Sequence, residues 1–247
     1  MKSLRDKSII AGLYLSKFDV EGLSLLGFNS FVEAFNIIGF ALGVQPASIK
    51  NYRDEFDPLM LNQRKGWHKR PMRSHCKKIF DDFSNLDLID FSKLVEKIIR
   101  KNSVADDLFS ELLTLEEPAE SSFAKRLVTG QAAEEYFLSV YKDIDLFSQG
   151  EIHNTTKLGC GFDFKISFES SFLGVEVKGL SEASGSILMT SKEYAVASRL
   201  QERYFLFVVK NFKEKPEHEY YQNPLGDKLQ FKEIERQIVQ RSWVARV

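Results

Sequence analysis

Gly161-Phe162-Asp163-Phe164-Lys165-Ile166-Ser167-Phe168, then after Glu169-Ser170-Ser171 the run Phe172-Leu173-Gly174-Val175-Glu176-Val177-Lys178-Gly179-Leu180, is the stretch whose reading decides the fold. Both runs alternate with a period of two, the period of a β-strand whose successive side chains point to opposite faces. In the first, Phe162, Phe164 and Ile166 are expected on one face, with Asp163 and Lys165 on the other. In the second, Glu176 and Lys178 share a face while Val175 and Val177 fill the opposite one. The intervening Glu-Ser-Ser reads as a hairpin turn, which brings Asp163 towards Glu176. Two carboxylates so placed resist ionising together unless a hard cation such as magnesium or manganese joins them through oxygen ligands. Lys178 beside that ion is suited to orient attacking water or to stabilise the charge that grows on a phosphate.

A Glu-x-Lys pair on an exposed strand is worth only a fraction of a kcal/mol and is common on solvated sheets, roughly 0.2–1 kcal/mol. The surroundings raise its significance. A glycine precedes the first acidic run, Gly174 and Gly179 bracket the second strand, and an upstream helical segment carries Glu134 and Glu135. Downstream, Thr190-Ser191-Lys192-Glu193 has the Thr-x-x-Glu form of a capping box and predicts a helix through Tyr194 to Gln201. For Thr190 and Glu193 that capping role is the expected one. Lys192, Arg199 and Arg203, cations beside the sheet, are second-tier positions for meeting phosphates. Tyr204 to Val209 is continuously apolar and reads as a strand buried on both faces, without a chemical role.

Taken in order, GQAAEEYF (130–137), GFDFKI (161–166), VEVKGL (175–180), ILMTSKEYAVA (187–197) and RYFLFVV (203–209) resemble the PD-(D/E)XK nuclease superfamily, in the branch related to the NO VEIN C-terminal domain. The resemblance spans about Phe123 to Phe212 and implies a core of helix, three strands, helix and strand. It implies Asp163 and Glu176 as principal metal ligands and Glu134 as an accessory one, with Glu135 the lesser candidate. Val177 is counted among the metal-holding positions, and Lys178 matches the catalytic lysine. The proline that gives the motif its name is replaced by Phe162. The implied chemistry is magnesium-dependent hydrolysis of a DNA phosphodiester, with manganese as a substitute, leaving a 5′-phosphate and a 3′-hydroxyl.

The N-terminal half reads as helical. Phe31, Ala34, Phe35, Ile38 and Leu42 recur at helical spacing, Gly43 supplies a stop, and Pro46 sits where a second helix opens. Two helices joined this way, over residues 31 to 56, resemble a helix-turn-helix. In such a unit Gln45, Ser48, Lys50, Asn51 and Arg53 face bases or phosphates. The adjacent segment holds Arg64, Lys65, Trp67, Lys69, Arg70 and Arg73, a basic loop with an embedded indole suited to phosphate contact.

The formal net charge of −1 conceals an asymmetry. Lys50 to Lys78 holds nine Lys or Arg against three acids, an excess of +6, and Asn102 to Ile152 holds eleven acids against three bases, a sum of −8. The change of sign and the polar stretch Leu115 to Ser122 predict a boundary, giving a helical DNA-recognition domain over 1–115 and a nuclease domain over 122–247. The expected class is therefore α+β with two domains, the second an α/β restriction-endonuclease-like core in which helices flank a mixed sheet. With 247 residues and 43% hydrophobic content the chain can bury a substantial core.

The apolar stretch from Leu23 to Val44 is broken by Asn29, Glu33 and Asn36 and falls short of a membrane span, and the N-terminus lacks a signal-peptide pattern. Cys76 and Cys160 are expected as free thiols in a reducing cytoplasm. His68, His75 and Cys76 lack the further ligands of a zinc site, and no phosphate-binding glycine loop occurs. The expected setting is restriction or anti-phage defence on double-stranded DNA by a homodimer, with a cognate methyltransferase as a possible companion. The rival expectations are a DNA-binding regulator without catalysis, a nuclease subunit that needs a partner, and an RNA substrate.

Overall fold

A computed structural model describes residues 3–67, 69–100, 121–226 and 229–234, with 121–127 as backbone. The boundary segment Leu115 to Glu120 and His68 lie outside the described residues. Five helices come first: α1 (Leu4–Leu25), α2 (Phe31–Ala41), α3 (Pro46–Phe56), α4 (Ser74–Phe83) and α5 (Leu88–Ile99). The second half runs α6 (Ser121–Val140), the short α7 (Asp145–Ser148), β1 (Glu151–Asn154), β2 (Phe164–Ser167), β3 (Phe172–Gly179), α8 (Ser191–Leu200), β4 (Tyr204–Lys210) and β5 (Glu217–Gln222). The protein is thus α+β, a helical region followed by a mixed sheet with flanking helices.

Helix α1 is buried on all sides along Ile9, Ile10, Ala11, Leu13, Tyr14 and Leu15, so it forms the centre of the helical region. Helix α3 crosses it at Gly12, where a Cβ would stand 2.5 Å from the Tyr52 Cβ and 2.8 Å from the Arg53 backbone nitrogen. The expected face of α2 is realised: Ala34, Phe35, Ile38 and Leu42 are buried, and Phe31 packs beside them. Gly43 ends the helix at φ +69°, a conformation that glycine adopts without the steric cost of a side chain, and Pro46 opens α3.

The five strands lie in sequence order. β1–β2 and β2–β3 pair antiparallel, β3–β4 parallel, and β4–β5 antiparallel. The hairpin predicted at 169–171 therefore forms, and Phe164 pairs with Val175, which pairs in turn with Phe205. The parallel step is made through α8, whose capping box, Thr190 with Glu193, is present as expected. Strand β5 was not foreseen, since Glu217-His218-Glu219-Tyr220-Tyr221-Gln222 exposes much of its length and shows no apolar alternation.

Helix α6 covers one face of the sheet through Phe137, whose ring packs 5.1 Å from Phe164 and 4.8 Å from Phe207. Helix α2 is fastened to the same half: the Asn36 amide donates to the carbonyls of Phe212 (2.8 Å) and Glu214 (2.9 Å), and Phe40 packs edge-on to Tyr136 at 5.2 Å. One connected set of buried residues runs from Ile9 through Phe212. Among the described residues, no helix is long and apolar enough to cross a membrane. Cys76 and Cys160 are both free thiols.

Candidate active site

The face of the sheet away from α6 carries Glu176 and Lys178, as the alternation of β3 predicts. One element of the sequence reading is corrected here. Phe162 does not continue the face of Phe164 and Ile166: its ring lies over Gly174, where a Cβ would come within 2.9 Å of it, on the Glu176 side. The chain leaves the extended conformation at Gly161, at φ +90°, and enters β2 only at Phe164, so alternation does not apply to Phe162.

That departure sets the position of Asp163. Its N–H donates to the Val175 carbonyl at 3.0 Å and its carbonyl accepts from Thr155 N–H at 2.8 Å. Its carboxylate Oδ2 accepts from the Val177 N–H at 2.8 Å, on the edge of β3 beyond its last residue paired to β2, Val175. Two further bonds fix the loop, Thr155 Oγ1 to the Phe162 carbonyl (2.9 Å) and the buried Tyr204 hydroxyl to the Gly161 carbonyl (3.0 Å). Gly161 abuts α8, where a Cβ would lie 2.8 Å from Val196 Cγ2.

Glu176 is 4% exposed. The Lys178 Nζ donates to Glu176 Oε1 at 2.6 Å and to Glu193 Oε2 at 2.7 Å. Burial, followed by the charge of Asp163, pushes the Glu176 carboxyl up to about 8 against the pull of Lys178. Burial likewise raises Asp163, although the Val177 amide and Lys178 oppose it. Burial works against the Lys178 ammonium, but Glu176 and Glu193 outweigh it and hold the amine protonated above its ordinary range. Burial and mutual repulsion therefore both disfavour a full negative charge on the two carboxylates together.

The donor set fits a hard divalent cation. Asp163 and Glu176 are oxygen ligands held in a buried place, they repel one another, and a cation would relieve that repulsion. Magnesium characteristically uses one or two protein carboxylates and completes its shell with water and phosphate oxygens. Among the described residues no three His, Cys, Asp or Glu side chains gather into a protein-only cage, so Glu134 does not join Asp163 and Glu176 in one cluster. Glu134 is half-buried on α6 directly after Ala133, which packs against Gly179. Its neighbour Glu135 points at the α2–α3 turn, its Oε2 lying 3.4 Å from where a Cβ on Gly43 would stand.

The residues expected to meet DNA divide into two groups. Gln45, Lys50, Asn51, Lys65, Lys69 and Lys192 are exposed and Ser48 is half-buried, with Lys50 paired to Asp54 at 3.3 Å. The arginines are engaged by acids of the fold, with Arg53 buried, Arg64 and Arg73 half-buried and Arg70 exposed. Arg53 is 9% exposed, pairs with Asp54 and Asp57, and stacks 4.8 Å over Phe31. Arg64 bonds Asp57 and Asp19. Arg70 and Arg73 bond the buried Glu55 and flank Trp67 at 4.4 and 5.3 Å. Each of these arginines is thus paired with an acid of the fold: Asp54, Glu55 and Asp57 from the same segment, and Asp19 from α1. Lys192 on α8 reaches the Gly159 turn, and Arg203, in the turn after α8, lies 5.6 Å over Phe172.

Three residues of the site carry no sequence signal of their part in it. The capping box accounts for Glu193 without its bond to Lys178. Tyr204 reads as part of a buried strand, and burial says nothing about where its hydroxyl points. Thr155 lies in no motif. Residues 133–221 match the family model described as Protein NO VEIN, C-terminal, from the middle of α6 to within β5. No curated protein and no solved structure matches the chain significantly.

Proposed function

We propose that the protein is a magnesium-dependent DNA endonuclease, and that Asp163, Glu176 and Lys178 carry its chemistry. The observation that supports this most is the convergence of a buried Glu176, pushed up to about 8, with Asp163 across the hairpin and with a lysine held protonated 2.6 Å away. The match of the sheet region to the NO VEIN C-terminal family supports a nuclease-like domain. Asp163 and Glu176 would hold the ion, with water and substrate oxygens completing its shell. A bound magnesium or manganese ion supplies Lewis acidity towards the phosphodiester and acidifies water at neutral pH.

The chain's own residues do the rest. The Lys178 Nζ offers N–H donors to the phosphate oxygens as negative charge grows in the transition state. Asp163 is kept in place by the Val177 amide, and its loop by Thr155 and Tyr204, so little reorganisation is needed when substrate arrives. Duplex DNA is the substrate in this reading. Lys65 and Lys69 on the basic loop and Lys192 on α8 contact phosphates, while Arg64, Arg70 and Arg73 shape the loop that presents the first two. Cutting both strands requires two sites and hence a pair of protomers. Restriction or anti-phage defence is the setting proposed, with a cognate methyltransferase protecting host DNA.

The test is cleavage of methylated and unmethylated plasmid and phage DNA with magnesium, manganese or EDTA. The wild-type protein gives discrete fragments that disappear in EDTA. Asp163→Asn abolishes them, and Lys178→Met slows cleavage by about 10²–10³-fold, the usual cost of removing one transition-state donor. Tight DNA binding without cutting under every condition would favour the regulator instead.

A further inference from the structure

We propose that Glu193 is a second seat for the Lys178 ammonium, the anion that lets this lysine release Glu176 when a divalent cation takes its place there; the inference rests on the metal-nuclease reading above. The Lys178 Nζ is shared between Glu176 at 2.6 Å and Glu193 at 2.7 Å. An ammonium and a divalent cation on the same carboxylate repel each other strongly in a buried site. One of the two has to move, and the flexible four-carbon stem of lysine allows a small displacement.

Glu193 is built to stay in place meanwhile. It stands on α8 and not on the sheet, its Oε2 also accepts from the Thr190 N–H at 3.0 Å, and its own N–H donates to Thr190 Oγ1 at 3.2 Å. Helix α8 is seated against the Asp163 loop through Val196 and Gly161. The cap itself does not require a charge, because glutamine serves equally at this position of a capping box. The negative charge of Glu193 is therefore available to Lys178. Since no three acidic, His or Cys side chains cluster among the described residues, Glu193 acts through the lysine, as a positioning residue, and is not a further ligand.

The experiment is calorimetric titration of Mn²⁺ alone into the full-length, metal-free protein as wild type, Glu193→Gln, Lys178→Met, the double variant and Thr190→Ala, each verified as folded by its melting curve. Glu193→Gln keeps the cap and is expected to bind Mn²⁺ about tenfold more weakly, because the ammonium then falls wholly on Glu176. In the Lys178→Met background the same change is expected to alter affinity by less than about threefold. Thr190→Ala removes the cap bond, lowers the melting temperature and leaves Mn²⁺ affinity within about twofold of wild type.

Equal affinities for wild type and Glu193→Gln would overturn the inference. An undiminished loss in the Lys178→Met background would do the same, since it would make Glu193 a plain ligand or distant charge. A wild type that binds no Mn²⁺ at all would overturn the metal-nuclease reading, and this inference with it. Mn²⁺ binding to wild type with indifferent Glu193 variants removes the inference alone.

Discussion

Glu176 is costly to the fold that holds it. Its carboxyl is raised from 4.5 to about 8, chiefly by burial and then by Asp163, so the folded state binds a proton that the unfolded chain releases at lower pH. The sign follows from linkage: the stabilisation is fully present below about 4.5 and is lost as pH rises through about 8. Across that window the loss for one buried group is on the order of a few kcal/mol. Glu176→Gln cannot release this proton. Metal-free Glu176→Gln should therefore melt at a temperature that falls less between pH 5.5 and 8.5 than that of wild type, and should be the more stable protein at pH 8.5 while cutting nothing. Parallel pH profiles for the two proteins would contradict this account. Glu193 shows the limit of residue-level reading. A motif that accounts for a side chain through one bond leaves its other oxygen, or a second bond from the same oxygen, unconsidered.

At the scale of elements, the loop between α3 and α4 depends on one carboxylate. Glu55 projects from α3 with its side chain 1% exposed and receives Arg70, the Arg73 guanidinium and the Arg73 backbone N–H. Burial disfavours its charge, but the bonds from Arg73 and Arg70 outweigh that and hold it below the usual glutamate range. Glu55→Ala should cost about 3 kcal/mol, towards the low end for breaking a buried pair, because Arg70 and Arg73 are themselves 37% and 34% exposed. The loop carrying Lys65 and Lys69 should also become sensitive to limited proteolysis. Because the Glu55 carboxyl is depressed, its contribution is present above the ordinary glutamate range and lost as pH falls below it. Resistance to protease together with unchanged melting would show that the arginines are surface ornaments of the loop. The clamp decides which bases of the segment are engaged: Arg70 and Arg73 are held on Glu55, whereas Lys65 and Lys69 stand exposed.

Over the whole molecule, the helical region and the sheet share one core, and α2 is the joint. Asn36→Ala removes two hydrogen bonds and strands the Phe212 and Glu214 carbonyls near α2, at a cost of about 2 kcal/mol. Amide exchange should show Ile9 to Leu15 and Val175 to Val177 losing protection together in wild type, and α2 opening early in Asn36→Ala. Protection lost independently in wild type would mean that the two regions are only loosely joined. The sequence by itself determined the α+β class and the elements around the site, α2, α3, β2, β3, α8 and β4, because amphipathic periods of two and of three to four, a glycine at a helix end, a proline at a helix start and a capping box are local signals written in adjacent residues. It also determined that Glu176 and Lys178 share a face, since strand alternation is local. Only the tertiary structure decided the rest: that Phe162 crosses to the Glu176 side, that Glu193 from a helix meets Lys178 from a strand, that Tyr204 and Thr155 anchor the Asp163 loop, and that the arginines expected to face DNA are spent on Asp57, Asp19 and Glu55. Each of these depends on distances between residues far apart in the chain, and such distances are fixed by packing, not by any pattern of neighbouring residues.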